Sequence, residues 1–287
     1  MMSTFQIITD SCSDFNEQMY REFNVGSAPL SVLYKGVLHE NFSDDASLQD
    51  LYAGIRGGEM PTTSAVNPEG WTTLMKPILA AGHDILCICF ASVLSATCQN
   101  ALIAADELRE AFPDRKINIV DSCCATLGQG LLIMKACARR DAGESLEAVT
   151  AWAEEAKSHV AHWITVDNLF HLKRGGRLSA TTAIVGTMLN IKPLLVITAE
   201  GKLISHSKAR GRKAALEAIV KQIEAHCIDK SLVTIAHADC LADAEALAAT
   251  IRERCGVQEV RIGYIGAVIG AHTGPGAMAI CFMADQR

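Results

Sequence analysis

The sequence predicts an α/β protein in which an N-terminal domain built on a parallel sheet packs against a C-terminal α+β domain. Three observations support this prediction. Residues 84–108 pass from a continuous apolar run through a hydroxyl-rich turn into a helix-forming segment, which is half of a βαβ unit. Two short apolar strands, 5–9 and 117–120, end in matching Asp-Ser pairs, so we expect them to lie parallel in one sheet. Residues 194–198 and 202–205 flank Ala-Glu-Gly and predict a hairpin in the second half.

The other elements follow from local patterns of apolar residues, prolines and glycines. In the N-terminal half, residues 29–37 predict a strand that runs on toward His39, and residues 44–58 predict a helix that ends at Gly-Gly. Residues 61–68, which lie between two prolines, predict a stiff segment that is neither an ordinary strand nor a helix. Residues 126–140 predict a buried helix. A helix opened by Ser145 is predicted to run through Val160. In the C-terminal half, strands are predicted at residues 164–166, 232–236, 259–262 and 278–282, and helices at residues 209–226 and 240–253.

The size and composition of the chain indicate two packed domains. Its 287 residues correspond to one large or two ordinary domains, and 49% hydrophobic with 20% charged residues exclude disorder. We place the boundary near residue 155, which gives an N-terminal α/β domain at 1–155 and a C-terminal α+β domain at 156–287. No linker rich in Pro, Gly or Ser separates them, so we expect tight packing. The net charge of -6 gives no reason to expect a nucleic acid partner.

The sequence predicts a cytoplasmic protein without stable membrane insertion. Its beginning lacks the basic region and the long apolar core of a signal peptide. The apolar stretch 184–199 is interrupted by Lys192 and Pro193 and falls short of the roughly 20 residues that span a bilayer. The eleven cysteines are odd in number and form no CxxC pair, so we expect reduced thiols and no metal site.

The turn after the strand in 84–108 is a candidate anion site. Ser92, Ser95 and Thr97 lie there beside the free N–H groups of a helix start, at the sheet edge where ligands of α/β proteins bind. The turn contains no Lys or Arg, which favours a single carboxylate over a polyphosphate. The alternative is that Ser95 or Thr97 only caps its own helix.

Two further segments contribute candidate polar groups. The prolines around residues 61–68 would hold Thr63 and Ser64 in place as a polar clamp, although Asn67 is also a plausible N-cap of the next helix. His272 lies between glycines in a sequence that predicts a rigid Pro-containing turn, where its ring could donate a hydrogen bond to a carboxylate. A purely structural role is the alternative for this histidine.

Catalytic interpretations have less support in the sequence. Asp10 and Asp121 could form a carboxylate pair, but Asp at a strand-to-helix turn more often caps a helix or ties down a loop. The sequence contains no GxSxG, HExxH, complete GxGxxG or phosphate-loop motif. A hydrolase or acyltransferase would have to use Ser95 or Ser64 with His272 as its base. His159 and His162 are predicted to share one exposed helix face and, without a nearby third ligand, to be surface residues.

A basic segment stands out in this acidic protein. Between residues 168 and 216 only Glu200 opposes nine basic side chains, which suggests a surface for a phosphate or an acidic partner, although a solvated helical face accounts for some of them. Gly175-Gly176 predicts a tight turn that projects Arg177 outward. The nine are Lys173, Arg174, Arg177, Lys192, Lys202, Lys208, Arg210, Arg212 and Lys213.

Seven motifs in chain order resemble those of the DegV family: ITDSCSD, PTTSAVNP, ASVLSATCQNA, VDSCCATLGQG, LFHLKRGGRLS, LNIKPLL and IGAHTGPGA. The resemblance spans residues 7–282. It implies a C-terminal domain with a mostly antiparallel sheet and one long-chain, palmitate-like fatty acid in a buried tunnel between the domains. It also implies that the protein has no kinase activity and no cofactor, and that it presents the fatty acid carboxylate to a separate fatty acid kinase where the host has one.

By this resemblance, the carboxylate-binding residues are Thr63, Ser64, Ser92, Ser95 and His272. Arg177, the arginine after Gly-Gly, would face the kinase, and we group Arg210 of the basic segment with it as a residue for kinase docking or phosphate contact. The sequence departs from the family pattern at residues 65–67, where Ala-Val-Asn replaces Gln-Pro-Ser, and at Ala96, where a glycine is usual. These departures make that wall more apolar and crowd a tight backbone approach.

Overall fold

The N-terminal half of the protein is built on a parallel sheet. The computed structural model describes residues 5–40, 44–178 and 190–287. The first half contains strands β1 (Phe5–Asp10), β2 (Val25–Ala28), β3 (Ser31–Tyr34), β4 (Val37–Glu40), β5 (Thr62–Ser64), β6 (Asp84–Cys89) and β7 (Ile117–Asp121). Its helices are α1 (Glu17–Glu22), α2 (Asp45–Arg56), α3 (Pro68–Ala80), α4 (Thr97–Ala111), α5 (Thr126–Asp141) and α6 (Leu146–Ala156). The order β2-β1-β6-β7 forms the parallel sheet, and β4-β3-β5 forms a small antiparallel one.

A mixed, mostly antiparallel sheet organises the C-terminal half. Its strands are β8 (Val160–Thr165), β9 (Ile191–Ile197), β10 (Leu203–Arg210), β11 (Leu232–His237), β12 (Glu259–Tyr264) and β13 (Met278–Met283). They pair in the order β10-β9-β8-β13-β11-β12, and the β11–β12 pair is parallel. The helices are α7 (Phe170–Arg174), α8 (Arg212–His226), α9 (Leu241–Cys255) and α10 (Ala267–Thr273). The predicted fold class is therefore confirmed, whereas the domain boundary near residue 155 stays a prediction.

Helix α5 lies between the two sheets and is buried along most of its length. It contacts β6 on one side and β8, β11 and β13 on the other. Gly128 lies against the ring of His162, because a Cβ added there would be 2.0 Å from Nε2. The hydroxyl of Thr234 on β11 donates to the carbonyl of Leu127 at 3.1 Å. The two halves thus share one helix as their common packing layer, as the predicted buried helix requires.

Two predictions about strands in the first half are wrong in detail. The single strand expected at 29–37 is a hairpin, because Lys35 and Gly36 both adopt positive φ (49° and 77°) as in the tight turns that join antiparallel strands. The stiff segment at 61–68 contains an ordinary short strand, since β5 pairs with β3 through Val32 and Thr63. Two prolines limit this strand but leave room for three paired residues. Asn67 caps α3 as expected, accepting the Gly70 N–H at 2.8 Å.

The histidine pair predicted on an exposed helix is also misplaced. The helix opened by Ser145 ends at Ala156, and the chain turns into β8 at Val160. His162 therefore lies on a strand and is only 1% exposed. Its Nε2 accepts the Ala125 N–H at 3.3 Å. Burial, followed by the charge of Arg287, lowers the pKa of His162 to about 3.

Part of the apolar stretch at 184–199 falls in a strand. Residues 184–189 lie outside the described residues, and the remainder enters β9. Within the described ranges, no helix is both long and apolar enough to cross a bilayer.

Asp14 connects the first half to helix α10. It has a left-handed backbone conformation, with φ of 54°, and its carboxyl accepts the backbone N–H of Gly266 just before that helix. Burial raises the pKa of Asp14 to about 8, although the Thr126 side chain and the Gly266 N–H act in the opposite direction. The folded protein therefore binds this proton more tightly than the unfolded chain does.

Replacing Gly128 with Ala should lower the free energy of unfolding by about 1–3 kcal/mol, because the new methyl group must displace a buried imidazole. Denaturant unfolding measures this change. Gly70→Ala is the matched control, since its Cβ would meet nothing closer than 3.2 Å. It should change stability by less than about 1 kcal/mol, and equal losses in the two variants would contradict the close packing at Gly128.

The stabilising contribution of the Asp14 carboxyl should be lost as the pH rises from the ordinary Asp value of 3.8 to about 8. In this window the unfolded chain has released the Asp14 proton while the folded protein still holds it. Asp14→Asn keeps the shape and one acceptor oxygen but has no proton to release, so its unfolding midpoint in urea should rise relative to that of the unaltered protein over the same range. Both proteins share the pH dependence of other buried groups, since burial raises the pKa of Asp10 to about 6 and lowers the pKa values of His162 and His272 to about 3 and about 4. Identical slopes in both proteins would contradict this role of Asp14.

Candidate functional site

A cavity of about 210 Å³ lies between the two halves of the protein. One part of its wall is polar and the remainder is apolar. The polar candidates that line it are Thr63, Ser64, Ser95, Arg177 and His272. The larger apolar side chains that line it are Leu30, Phe90, Leu94, Ile164, Leu172, Ile197, Leu203, Ile265, Val268 and Ile269. Four of the five predicted carboxylate-binding residues therefore meet at one place, although their sequence numbers span more than two hundred residues. We call this space the head cavity.

Thr63 and His272 are in direct contact. The Thr63 hydroxyl lies 2.8 Å from His272 Nε2. Pairing with β3 fixes the strand that carries Thr63. His272 lies in the last turn of α10, so the prediction that it lies in a rigid Pro-containing turn is wrong. A short helix forms there and stops at Gly274, whose φ of 73° suits a residue without a side chain.

The imidazole of His272 is neutral at physiological pH. Burial, with smaller effects from Arg177 and Arg174, lowers the pKa of His272 to about 4. Its Nδ1 is buried and has no hydrogen-bond partner within the described residues. If Nε2 carries the proton, it donates to the Thr63 oxygen, and the hydroxyl hydrogen of Thr63 remains available for another acceptor in the cavity.

The second polar group of the cavity comes from the loop before α4. The hydroxyls of Ser95 and Thr97 lie 2.9 Å apart, and the Ser95 oxygen accepts the Thr97 N–H at 3.3 Å. The two roles predicted as alternatives for Ser95 therefore occur together, because its side chain lines the cavity and also accepts an N–H group at the beginning of α4. Ala96 stands at the N-cap position and supplies no side-chain cap.

Two predicted site residues are not brought to the cavity. Ser92 is exposed and absent from the cavity wall, and its N–H donates to Asp121 Oδ1 at 3.2 Å. Arg210 is exposed at the end of β10, also away from this wall. Neither position could be inferred from sequence, because both depend on how a loop or strand end is oriented in the folded protein.

Arg177 lies at the rim of the head cavity and is folded back over it. The turn expected at Gly175-Gly176 forms, with φ of 67° at Gly176. The Arg177 guanidinium then donates to the carbonyls of Leu94 (3.2 Å) and Gly175 (2.6 Å). The side chain is exposed, as predicted, but it joins two loops across the opening instead of pointing away from the protein.

The Asp pair holds the loop that contains Ser95. Asp10 is fully buried and accepts the N–H groups of Cys12 (3.0 Å) and Phe90 (2.7 Å). Asp121 Oδ1 accepts the N–H groups of Ser92 and Cys123. These contacts agree with the preferred interpretation, in which both carboxylates tie down loops.

The contacts of three supporting residues, Gln129, Arg174 and Gly175, were not predicted from the sequence. Gln129 on α5 is fully buried and donates to the Thr9 hydroxyl at 2.8 Å, beside Asp10. Arg174 donates to the carbonyls of Pro61 and Ala271, each at 3.2 Å, and so connects the β5 segment to α10. Gly175 lies against the ring of His272, because an added Cβ would be 2.1 Å from Nδ1. The only sequence signal was the Lys-Arg-Gly-Gly run, whose basic residues were assigned to a surface.

The basic segment is partly neutralised by carboxylates from elsewhere in the chain. Lys192 donates to Asp167 at 2.5 Å, and Arg212 forms an ion pair with Asp243 at 3.0 Å. Three basic residues of this segment, Lys173, Arg174 and Arg177, remain exposed. Arg177 lines the cavity, and the other two precede it closely in the chain. Within the part of the chain that the structure describes, no group of three or more His, Cys, Asp or Glu side chains could hold a metal ion.

Comparisons with known proteins identify relatives along the whole chain. A family model described as "Uncharacterised protein, DegV family" matches residues 4–285. A DegV domain-containing protein of Clostridium perfringens is 38% identical over 289 residues, covering 100% of this chain and 99% of the relative. The structure of a DegV lipid binding protein from Thermotoga maritima has a TM-score of 0.86 at 26% identity and covers 100% of both chains. A structure described as fatty acid binding of a DegV family protein from Thermus thermophilus has a TM-score of 0.86 at 30% identity, covering 98% of this chain and 99% of that one. This chain therefore belongs to the DegV family.

Proposed function

We propose that this protein binds one long-chain fatty acid, with the carboxylate at Thr63, Ser64, Ser95 and His272. The observation that carries the proposal is the head cavity itself, where uncharged donors from three distant segments, with Arg177 at the rim, face walls that are mostly apolar. The relatives from Thermus thermophilus and Thermotoga maritima, described as binding fatty acid and lipid, support it.

The chemistry of the polar wall suits a carboxylate that is removed from water. A buried anion needs hydrogen bonds to replace its hydration, and bonds to a charged acceptor are stronger than bonds between neutral groups. The Thr63 hydroxyl, oriented by neutral His272, supplies one such donor, and the Ser64 and Ser95 hydroxyls supply others. Arg177 at the rim adds a positive charge near the anion.

The acyl chain supplies most of the affinity. Each buried CH₂ contributes about 0.8 kcal/mol, so a chain of palmitate length contributes on the order of 10 kcal/mol before ordering costs. A ligand of this affinity should remain bound during purification. Mass spectrometry of an organic extract tests the proposal directly, and it fails if no fatty acid is found and none binds on addition.

A role as a carrier fits the site better than catalysis does. An acyl-transferring serine needs a hydrogen bond to its base, and the base is usually oriented by a third group. The hydrogen bond that His272 makes in the described structure goes to Thr63 rather than to Ser64 or Ser95. We therefore propose a binding protein without a catalytic set of its own, and treat a Ser/His hydrolase as the alternative.

We further propose that this protein, in the cytoplasm, presents the bound carboxylate to a separate fatty acid kinase. Support comes from Arg177, which is exposed at the cavity rim, and from Lys173 and Arg174, which are exposed a few residues before it in the chain. A kinase that transfers a phosphoryl group to the carboxylate brings negative charge to this place, and guanidinium groups suit such charge. Arg210 is exposed on the same half of the protein and extends the basic surface that the kinase would contact.

Replacing Thr63 with Val should weaken fatty acid binding about tenfold or more, because a hydrogen bond to a charged acceptor contributes about 1.5–3 kcal/mol. Displacement of a fluorescent fatty acid measures the affinity. Thr62→Val on the same strand is the matched control, since Thr62 is exposed and lies outside the cavity wall. Affinities that agree between the two variants would argue against a carboxylate at Thr63.

Replacing Arg177 with Ala should slow kinase-dependent acyl phosphate formation at least about tenfold, since a charge-assisted contact is lost. The amount of bound fatty acid should change little, because the apolar walls remain. Lys213→Ala, a change of an exposed basic residue on α8, serves as the control. Unchanged turnover in Arg177→Ala would remove the kinase-contact role.

A further inference from the structure

A second cavity, of about 360 Å³, lies beside the head cavity and has an acidic wall. Leu30 and Val268 line both spaces. Asp14, Asp45 and Glu245 line the second cavity, whereas no Lys or Arg is among the described residues of its wall. Its volume lies within the roughly 300–1,000 Å³ that is usual for ligand pockets. A wall with this charge repels an anion and attracts a cation.

Asp14 is the least exposed of the three acidic residues, and one of its oxygens is unpaired. Its Oδ1 lies against Gly266, where an added Cβ would be 2.6 Å away. Its Oδ2 is buried, and neither this oxygen nor the nearby Thr126 hydroxyl has a hydrogen-bond partner of good geometry within the described residues. The charge that acts on Asp14 is that of Asp10, which is negative and adds to the effect of burial in raising its pKa. The described part of the chain therefore supplies no counter-charge for this carboxyl group.

His237 offers a hydrogen-bond donor to the same cavity. The residue is 2% exposed, and its Nδ1 accepts the Cys240 N–H at 3.3 Å. Burial lowers the pKa of His237, so the ring is neutral and its proton lies on Nε2. This nitrogen makes no hydrogen bond within the described residues. The charges of Asp239, Asp45 and Glu245 act on the pKa of His237 in the opposite direction to burial, so a negative potential reaches the ring.

Aromatic side chains complete the wall of the second cavity. The rings of Phe15 and Tyr20 lie 5.5 Å apart between centroids, and those of His237 and Tyr264 lie 4.4 Å apart. The faces of Phe and Tyr rings attract cations. Because no described group of three or more His, Cys, Asp or Glu side chains could hold a metal ion, the cation that fits this wall is an organic one.

We propose that the second cavity binds a small organic cation of the amino alcohol class, with its ammonium group at Asp14 and its oxygen at His237. The ammonium group supplies the positive charge that Asp14 lacks, and the proton of the carboxyl group passes to water on binding. The Nε2–H of His237 donates to the hydroxyl oxygen of the ligand. The inference does not depend on the proposed function, because none of the four proposed carboxylate-binding residues lines this cavity.

Isothermal titration calorimetry of the full-length protein with 4-amino-1-butanol tests the inference. At about pH 9 Asp14 is ionised, because its pKa is about 8, and an alkylammonium group with a lysine-like pKa of about 10.4 keeps its charge. Butylammonium lacks the oxygen and should bind about threefold or more weakly, whereas 1-butanol lacks the charge and should bind at least about tenfold more weakly. Saturation with palmitate should leave the affinity for 4-amino-1-butanol unchanged.

Two substitutions locate the binding in the second cavity. Asp14→Asn should weaken the binding of 4-amino-1-butanol at least about tenfold, since the charged acceptor is lost while the shape is kept. Glu245→Gln, at an exposed position, should weaken it about threefold and decides the matter if Asp14→Asn does not fold. Glu253→Gln is the matched control, because Glu253 is exposed on the same helix and lies outside the cavity wall.

The outcomes separate this inference from the proposed function. Binding that requires the ammonium group and is weakened in Asp14→Asn or Glu245→Gln, but not in Glu253→Gln, supports the inference. It is overturned if 4-amino-1-butanol does not bind, if 1-butanol binds equally well, or if both cavity variants bind like the control. Equal affinities for butylammonium and 4-amino-1-butanol would overturn the contact with His237. Competition by palmitate would assign the cavity to the fatty acid and overturn the inference, whereas a protein that binds no fatty acid overturns the proposed function alone.

Discussion

The structure depends on the burial of helix α5 between two sheets. An isolated helix of this composition would expose apolar surface to water, and neither sheet alone covers both of its sides. The parallel sheet of the first half and the mixed sheet of the second half meet on it, and Gly128 allows the close approach on the His162 side. Ala125 and Thr126, at the beginning of this helix, form part of the head cavity wall. The same packing that joins the two halves therefore also brings their loops together around the cavity.

The candidate site avoids formal charge where it is most buried. His272 is neutral because burial and two nearby guanidinium groups both disfavour its protonated form. Those guanidinium groups are held by backbone carbonyls, Arg174 at Pro61 and Ala271 and Arg177 at Leu94 and Gly175. Their positive charge remains at the rim, while the interior presents hydroxyls. In the proposed function, this arrangement separates the tasks of holding a carboxylate and of attracting the charge of a partner.

Buried polar groups that do not line the cavity fix the loops around the site through hydrogen bonds. Asp10 and Gln129 hold the end of β6 next to Phe90, and Asp121 holds the following residues. Since several of these bonds are completely removed from water, their loss would leave unpaired groups at a considerable cost. The position of Ser95 in the cavity wall therefore depends on carboxylates that never touch the cavity.

Sequence alone determined the order and type of most elements, because hydrophobic periodicity, prolines and glycines are local signals. It also selected the residues Thr63, Ser64, Ser95 and His272, through their unusual positions among glycines, prolines and strand ends and through the resemblance to a family. It did not determine the hairpin at Lys35-Gly36, the strand that contains His162 or the short helix that contains His272. At these positions strand pairing and side-chain packing outweighed weak local preferences. Only the tertiary structure decided that Ser92 and Arg210 lie away from the cavity, and that Asp167 and Asp243 neutralise part of the basic segment. The physical reason is that hydrogen bonds, ion pairs and cavities bring together residues that are far apart in the chain. Which residues meet is decided only when the two sheets pack against α5.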